Sequence, residues 1–145
     1  MVKISITTQN KKEIPFDRRF IRNLSRYVFK KTNFLKRGKN VIIDITFLSK
    51  GEMRRLNFKY RGIDRTTSSL AFSYGSPSPD EKIYIGEILL NEDLLKKKSH
   101  KFGEVLIHAL LHLAGYDHSK PSERKTMFKI QEEIIKELGE KKWVL

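Results

Sequence analysis

A chain of 145 residues has room for one hydrophobic core and is too short for two ordinary domains. It contains no cysteine, which excludes a disulfide framework and thiolate metal ligands, and no apolar run long enough to span a bilayer. Met1 to Ile6 do not form the apolar core of a signal peptide, so a soluble cytoplasmic protein without membrane contact is expected. The formal net charge of +13 is unevenly placed: residues 1–72 hold eighteen of the thirty Lys and Arg but five of the seventeen acids, while residues 73–145 hold twelve of each. A surplus confined to one half suits a polyanion bound through counterion release. A lysine-rich solvated face on a merely soluble or thermostable protein has the same composition.

In chain order, alternation in Val2-Lys3-Ile4-Ser5-Ile6 predicts a strand. Phe20, Ile21, Leu24, Tyr27 and Val28 recur at helical spacing, with Arg18, Arg19, Arg22, Arg26, Lys30 and Lys31 on or beside the other face. This basic amphipathic helix suits either a nucleic-acid contact or a solvated outer face. Gly38-Lys39-Asn40 reads as a turn and Val41 to Leu48 as a β-rich strand. Ser49-Lys50-Gly51-Glu52 has the spacing of a capping box and opens a helix carrying Met53, Leu56, Asn57 and Tyr60. An irregular stretch leads to two strands, Ser69 to Tyr74 and Ile83 to Leu90, joined by a loop over Gly75 to Asp80. Asn91 caps a short helix bearing Leu94 and Leu95. The segment from Phe102 to Leu113 is apolar nearly all round, which predicts a helix buried on most sides. Pro121 suits the first turn of a last helix, with a core stripe of Met127, Phe128, Ile130, Gln131, Ile134, Ile135 and Leu138 and an end at Gly139. The order β-α-β-α-β-β-α-α-α predicts one α+β domain over residues 1–145. Its helices pack on a small mixed sheet around a central helix, which His108 and His112 mark as a metal-binding, zincin-like one.

Three of the four histidines lie at 108, 112 and 118. Two histidines four apart share a helix face, separated by about 6 Å along the axis. Gly115 is able to adopt the left-handed conformation that ends the helix and turns the third imidazole toward the first two. Three converging histidines with nothing obvious to close the shell read as a catalytic zinc centre that keeps one position for water. Nitrogen donors of this kind also accept nickel or copper. His108, His112, Gly115 and His118 reproduce metzincin spacing, yet Ala109 stands where those proteases carry the glutamate that acts as general base. The ligands are those of a protease and the base is missing, which argues for a metal-dependent hydrolase of another kind.

The run His108 to His118 resembles the signature of the bacterial YbeY endoribonucleases, the ribosomal RNA maturation factors, in which histidine-glycine-x-leucine-histidine-leucine-x-glycine-tyrosine-aspartate-histidine supplies three zinc ligands. Ala109 replaces the glycine, and the other fixed positions match. Leu56-Asn57-Phe58-Lys59-Tyr60-Arg61-Gly62-Ile63-Asp64 is similar to the family's leucine-asparagine-x-x-tyrosine-arginine-x-x-aspartate, followed by matches at Thr67, Leu70 and Phe72. Ile85-Gly86-Glu87-Ile88 resembles a glycine-aspartate-isoleucine segment. The departures are Thr66, Ser68, Ser69 and Ser73, with Ala71 for a serine and Glu87 for an aspartate; none touches a ligand or Arg61. The resemblance implies a zinc-dependent, single-strand-specific endoribonuclease of ribosomal RNA maturation and ribosome quality control, partnered by ribosomal RNA and the small ribosomal subunit or its associated factors. It marks Arg61 and His118 as catalytic, His118 being a ligand as well.

On this reading Arg61 pairs with phosphate through its planar fork; the plainer alternative is a surface ion pair with Asp64. Asp117 either orients a ligand or shapes the turn, and no carboxylate is an evident general base. Either an RNA 2′-hydroxyl or water is the nucleophile. Two rival readings are a zinc hydrolase of peptides or small amides and a non-catalytic ribosome-binding protein with a structural metal. A fourth ligand would favour the second rival, but His100 lies eight residues before His108.

Overall fold

The computed structural model describes residues 2–8, 16–32, 40–73 and 82–140. Their elements run β1 (Val2–Thr8), α1 (Arg18–Lys31), β2 (Asn40–Leu48), α2 (Lys50–Arg61), β3 (Ser69–Ser73), β4 (Lys82–Asn91), α3 (Glu92–Lys97), a turn of 3-10 helix (Ser99–Lys101), α4 (Phe102–Leu113) and α5 (Pro121–Glu140). The expected element order holds. The turn expected at Gly38-Lys39-Asn40 and the loop over Gly75 to Asp80 lie, but for Asn40, outside the described residues.

Side chains of the expected types start the first three helices. Asp17 accepts from the Arg19 amide at 2.8 Å ahead of α1, Ser49 from the Glu52 amide at 3.3 Å ahead of α2, and Asn91 from the Leu94 amide at 3.0 Å ahead of α3. The Glu52 carboxylate of the expected capping box is engaged by Arg55 one turn on.

The sheet is mixed, in the order β1-β2-β4-β3. β1 and β2 pair parallel, β2 and β4 pair parallel, and β3 pairs antiparallel with β4 as an edge strand. Alternation along the strands sends side chains into two layers. Ile43, Ile45 and Phe47 of β2 with Ile88 and Leu90 of β4 join α1, α4 and α5 in the main core. Leu48, Leu89 and Leu70 face the other way and bury Met53 of α2. The sheet thus lies between α2 on one face and the histidine helix with its neighbours on the other.

Helix α4 is the centre of the main core: Leu106, Ile107, Ala109, Leu110 and Leu111 are fully buried. Truncating one of its leucines to alanine costs about 2–5 kcal/mol by lost transfer energy and cavity formation. Helix α5 departs from its expected stripe at two points. Met127 and Ile134 enter the core, but Phe128 is 63% exposed, because the position after Met127 rotates about 100° round the helix and off the buried face. The helix also runs through Gly139 to Glu140 rather than ending at the glycine.

Candidate metal centre

The site is assembled from one helix and its C-terminal turn. His108 and His112 lie four apart on α4 and are half-buried, while their intervening neighbours Ala109, Leu110 and Leu111 point into the core. Gly115 takes φ +100. The Gly115 amide donates to the His112 carbonyl at 3.1 Å and the Tyr116 amide to the Leu111 carbonyl at 3.0 Å, the paired bonds of a Schellman motif. A side chain at 115 would strain this backbone. The chain reverses here and returns the exposed His118 to the other two imidazoles.

One nitrogen from each ring lies within 4.8 Å of the others, and the ring centroids are 4.7, 4.9 and 5.7 Å apart. Tautomers follow from the remaining contacts. His108 Nδ1 sits 3.0 Å from Gln131 Oε1, which accepts only, so Nδ1 carries the hydrogen and Nε2 a lone pair. His112 Nε2 faces that lone pair at 3.2 Å. Two nitrogens each ~2.0–2.1 Å from a tetrahedral zinc are themselves ~3.3–3.4 Å apart. The observed separation therefore fits an edge of such a site, and the donor set suits a transition metal.

The electrostatics agree. Burial, reinforced by the neighbouring His108 and His118, lowers the His112 pKa from 6.5 to about 4, so its lone pair is available at neutral pH. Asp117 accepts from the His118 amide at 2.7 Å and from the Ser119 hydroxyl at 3.0 Å, and these bonds hold its carboxyl below the usual range. Of the two roles left open for Asp117, these contacts are those of a turn-shaping residue.

A cleft of about 350 Å³ opens beside the histidines, lined by His108, His118, Arg124, Met127, Phe128 and Gln131. Arg61 does not line it. It is exposed at the C-terminal end of α2, whose helix packs on the sheet's other face. The pairing of Arg61 with Asp64 is absent: Asp64 binds Arg54 at 2.9 Å, and none of the ion pairs among the described residues includes Arg61. The motif around it is structural in part, because Asn57 donates to the Arg65 carbonyl at 2.9 Å and Gly62 ends α2 at φ +71. Among the departures, the Thr66 hydroxyl bridges the Lys50 carbonyl (2.8 Å) and the Asn91 amide (2.9 Å), tying the loop after α2 to the end of β4. His100 is exposed, and Glu104 lies 3.9 Å from Lys101.

Gln131 and Arg124 were not foreseen as site residues. The available signal was polar Gln131 within an apolar stripe, with Arg124 seven positions earlier on the same helical face.

Comparison with known proteins gives this geometry its relatives. The family described as Endoribonuclease YbeY matches residues 5–139. An Endoribonuclease YbeY of Buchnera aphidicola is 31% identical over 146 aligned positions, covering 93% of this chain and 87% of the relative. One of Thermosipho melanesiensis is 38% identical over 104, covering 66% and 72%. A solution structure of a Thermotoga maritima protein superposes with a TM-score of 0.54 at 27% identity, covering 95% of this chain and 91% of that one. The chain belongs to the YbeY family of endoribonucleases, hydrolases that cleave RNA.

Proposed function

We propose that residues 1–145 act as one zinc-dependent, single-strand-specific endoribonuclease domain in the maturation of ribosomal RNA and the quality control of ribosomes, in the cytoplasm. The observation that carries this reading is the convergence of the His108, His112 and His118 nitrogens within 4.8 Å beside an open cleft. A metal held there supplies Lewis acidity toward a phosphoryl oxygen or a water molecule. The three histidines would hold it through their ring nitrogens, and Gln131 fixes the ring of His108. Arg61 is assigned to phosphate: it is exposed, as are Phe58, Lys59 and Tyr60 before it on α2. Cations interleaved with aromatic rings suit a flexible single strand. Arg18, Arg22 and Arg26 are exposed on α1, on the same side of the sheet as the histidine helix, and offer separate phosphate contacts to an RNA strand. Ribosomal RNA and the small ribosomal subunit are the partners of this reading.

The peptidase alternative is weakened on structural grounds. Position 109 is an alanine fully buried in the main core, so this chain presents no carboxylate there. Among the described residues no helix is long and apolar enough to cross a membrane.

The test is cleavage of matched single- and double-stranded RNA by purified protein, with and without chelation, alongside elemental analysis. The expected results are one zinc per chain, preferential cutting of the single strand and loss of activity on chelation. His112→Ala should lose metal and activity together. Chelator-insensitive cutting, or undiminished metal in His112→Ala, would remove the metal reading. Co-sedimentation with small ribosomal subunits tests the partner.

A further inference from the structure

We infer that Arg124 and Phe128 of α5 form a nucleotide subsite beside the histidine cluster, with Phe128 as the stacking platform for one base and Arg124 as the clamp on its phosphate. The inference rests on the nuclease reading and names how this cleft grips its strand.

Arg124, Phe128 and Gln131 follow at helical spacings of four and three, so one face of α5 carries all three toward the histidines. Gln131 shows that this face meets the site, since its Oε1 lies 3.0 Å from His108 Nδ1. Arg124 is already oriented: its Nε donates to the His118 carbonyl at 3.3 Å, which leaves the two terminal nitrogens for another acceptor. No carboxylate among the described residues pairs with it. Its acidic neighbour Glu123 lies instead 3.3 Å from the Ser119 hydroxyl, whose single hydrogen it shares with Asp117. A guanidinium tethered at one edge and free at the other loses less freedom on closing a bidentate contact with phosphate.

Phe128 is the most exposed large apolar side chain on the described surface, at 63%, although Met127 beside it is buried at 2%. Among the described residues no aromatic ring packs against it, in contrast to Phe16, Phe47 and Phe102, which stack on one another in the core. A wall with a cation at one end and an uncovered ring one turn away matches the two surfaces of a nucleotide, anionic phosphate and flat base. A single strand presents both; a duplex keeps its bases stacked inside. Because stacking reads the face of a base and not its edge, the subsite favours single strands without fixing a sequence.

The test uses the full chain with zinc bound and a short single-stranded DNA carrying 2-aminopurine, which offers base and phosphate without the ribose hydroxyl of a ribonuclease substrate. Wild-type protein should quench the fluorophore. Phe128→Ala should abolish the quenching and weaken binding by roughly tenfold, the scale of one lost base–aromatic stack. Phe128→Trp should retain both, and Phe128→Leu, with apolar bulk but no ring, should behave like the alanine variant. Arg124→Ala should make the slope of log affinity against log salt shallower by about 0.7, one phosphate contact on a single strand. With single-stranded RNA, the Phe128 variants should raise KM and leave kcat near wild type. Unaltered quenching in Phe128→Ala, or equal binding by the leucine and tryptophan variants, overturns the subsite. Wild-type quenching and binding without cleavage of any RNA would overturn the nuclease reading and leave the subsite standing.

Discussion

Replacing Gln131 with alanine isolates what a neutral amide contributes to a three-histidine site. In the native cleft its Oε1 accepts from His108 Nδ1 at 3.0 Å, which keeps the hydrogen on that nitrogen and aims Nε2 at His112 Nε2, 3.2 Å away. Without the amide, the imidazole is free to rotate about its side-chain bonds and to place its hydrogen on the ligating nitrogen. Partners of this kind typically contribute 10–100-fold in metal affinity, equivalent to about 1.4–2.7 kcal/mol. Stability should change much less, because Met127 and Ile134, not Gln131, anchor α5 in the core. A loss of about 1 kcal/mol would lower Tm by roughly 2–4 °C. The decisive comparison is Gln131→Glu, which keeps an acceptor and adds a charge that favours the polarised imidazole. In competition titrations against a chromogenic chelator at fixed pH, Gln131→Glu should bind zinc at least as tightly as wild type. Both should bind it more tightly than Gln131→Ala. Equal affinity in wild type and Gln131→Ala would refute the orienting role. A glutamate variant as weak as the alanine variant would do the same.

Arg61→Ala should leave Tm near wild type, within about 0.5–1 kcal/mol for an exposed residue, while single-stranded RNA binds more weakly and its log affinity–log salt slope becomes shallower by about 0.7, one phosphate contact. Arg61→Lys should rescue little if the contact is bidentate; full affinity in Arg61→Ala would leave Arg124 as the cation that matters. In metal-free protein, His112 is neutral when folded down to about pH 4 but titrates near its ordinary 6.5 when unfolded. The unfolded chain therefore binds more protons between these values, and Tm should fall as pH drops through this window, less steeply in His112→Gln. A pH-independent Tm from 6.5 to 4 would contradict the depressed pKa. In Gly86→Ala the new methyl would lie 2.1 Å from the Phe72 carbonyl oxygen and 2.8 Å from Leu113, the residue after His112. The edge strand must then shift, at about 1–3 kcal/mol, and zinc affinity should fall with Tm. Gly51→Ala, with nothing within 4 Å, is the control and should not lower Tm.

Much of this protein is legible in its sequence because the signals are local. Two histidines four apart, a glycine three beyond and a third histidine three beyond that specify a helix, its left-handed stop and the return of the third ligand, all within eleven residues. Ser49 and Asn91 announce the helices they cap through bonds that span three residues. Alternation and helical periodicity likewise set the element order, since both record which side of a single element is buried. Tertiary structure decided the rest, because it depends on which surfaces meet. Gln131 reaches His108 across 23 positions of sequence, and Arg124 comes to the His118 carbonyl only when α5 folds back over the turn. By sequence the near arginine for Asp64 is Arg61; the path of the loop after α2 gave it instead to Arg54, ten positions back, and left Arg61 outside the pair. Phe128 has the composition of a core residue, but Met127 and Ile134 take the buried side of α5. That single rotation of register turns an apparent packing residue into an exposed wall of the cleft.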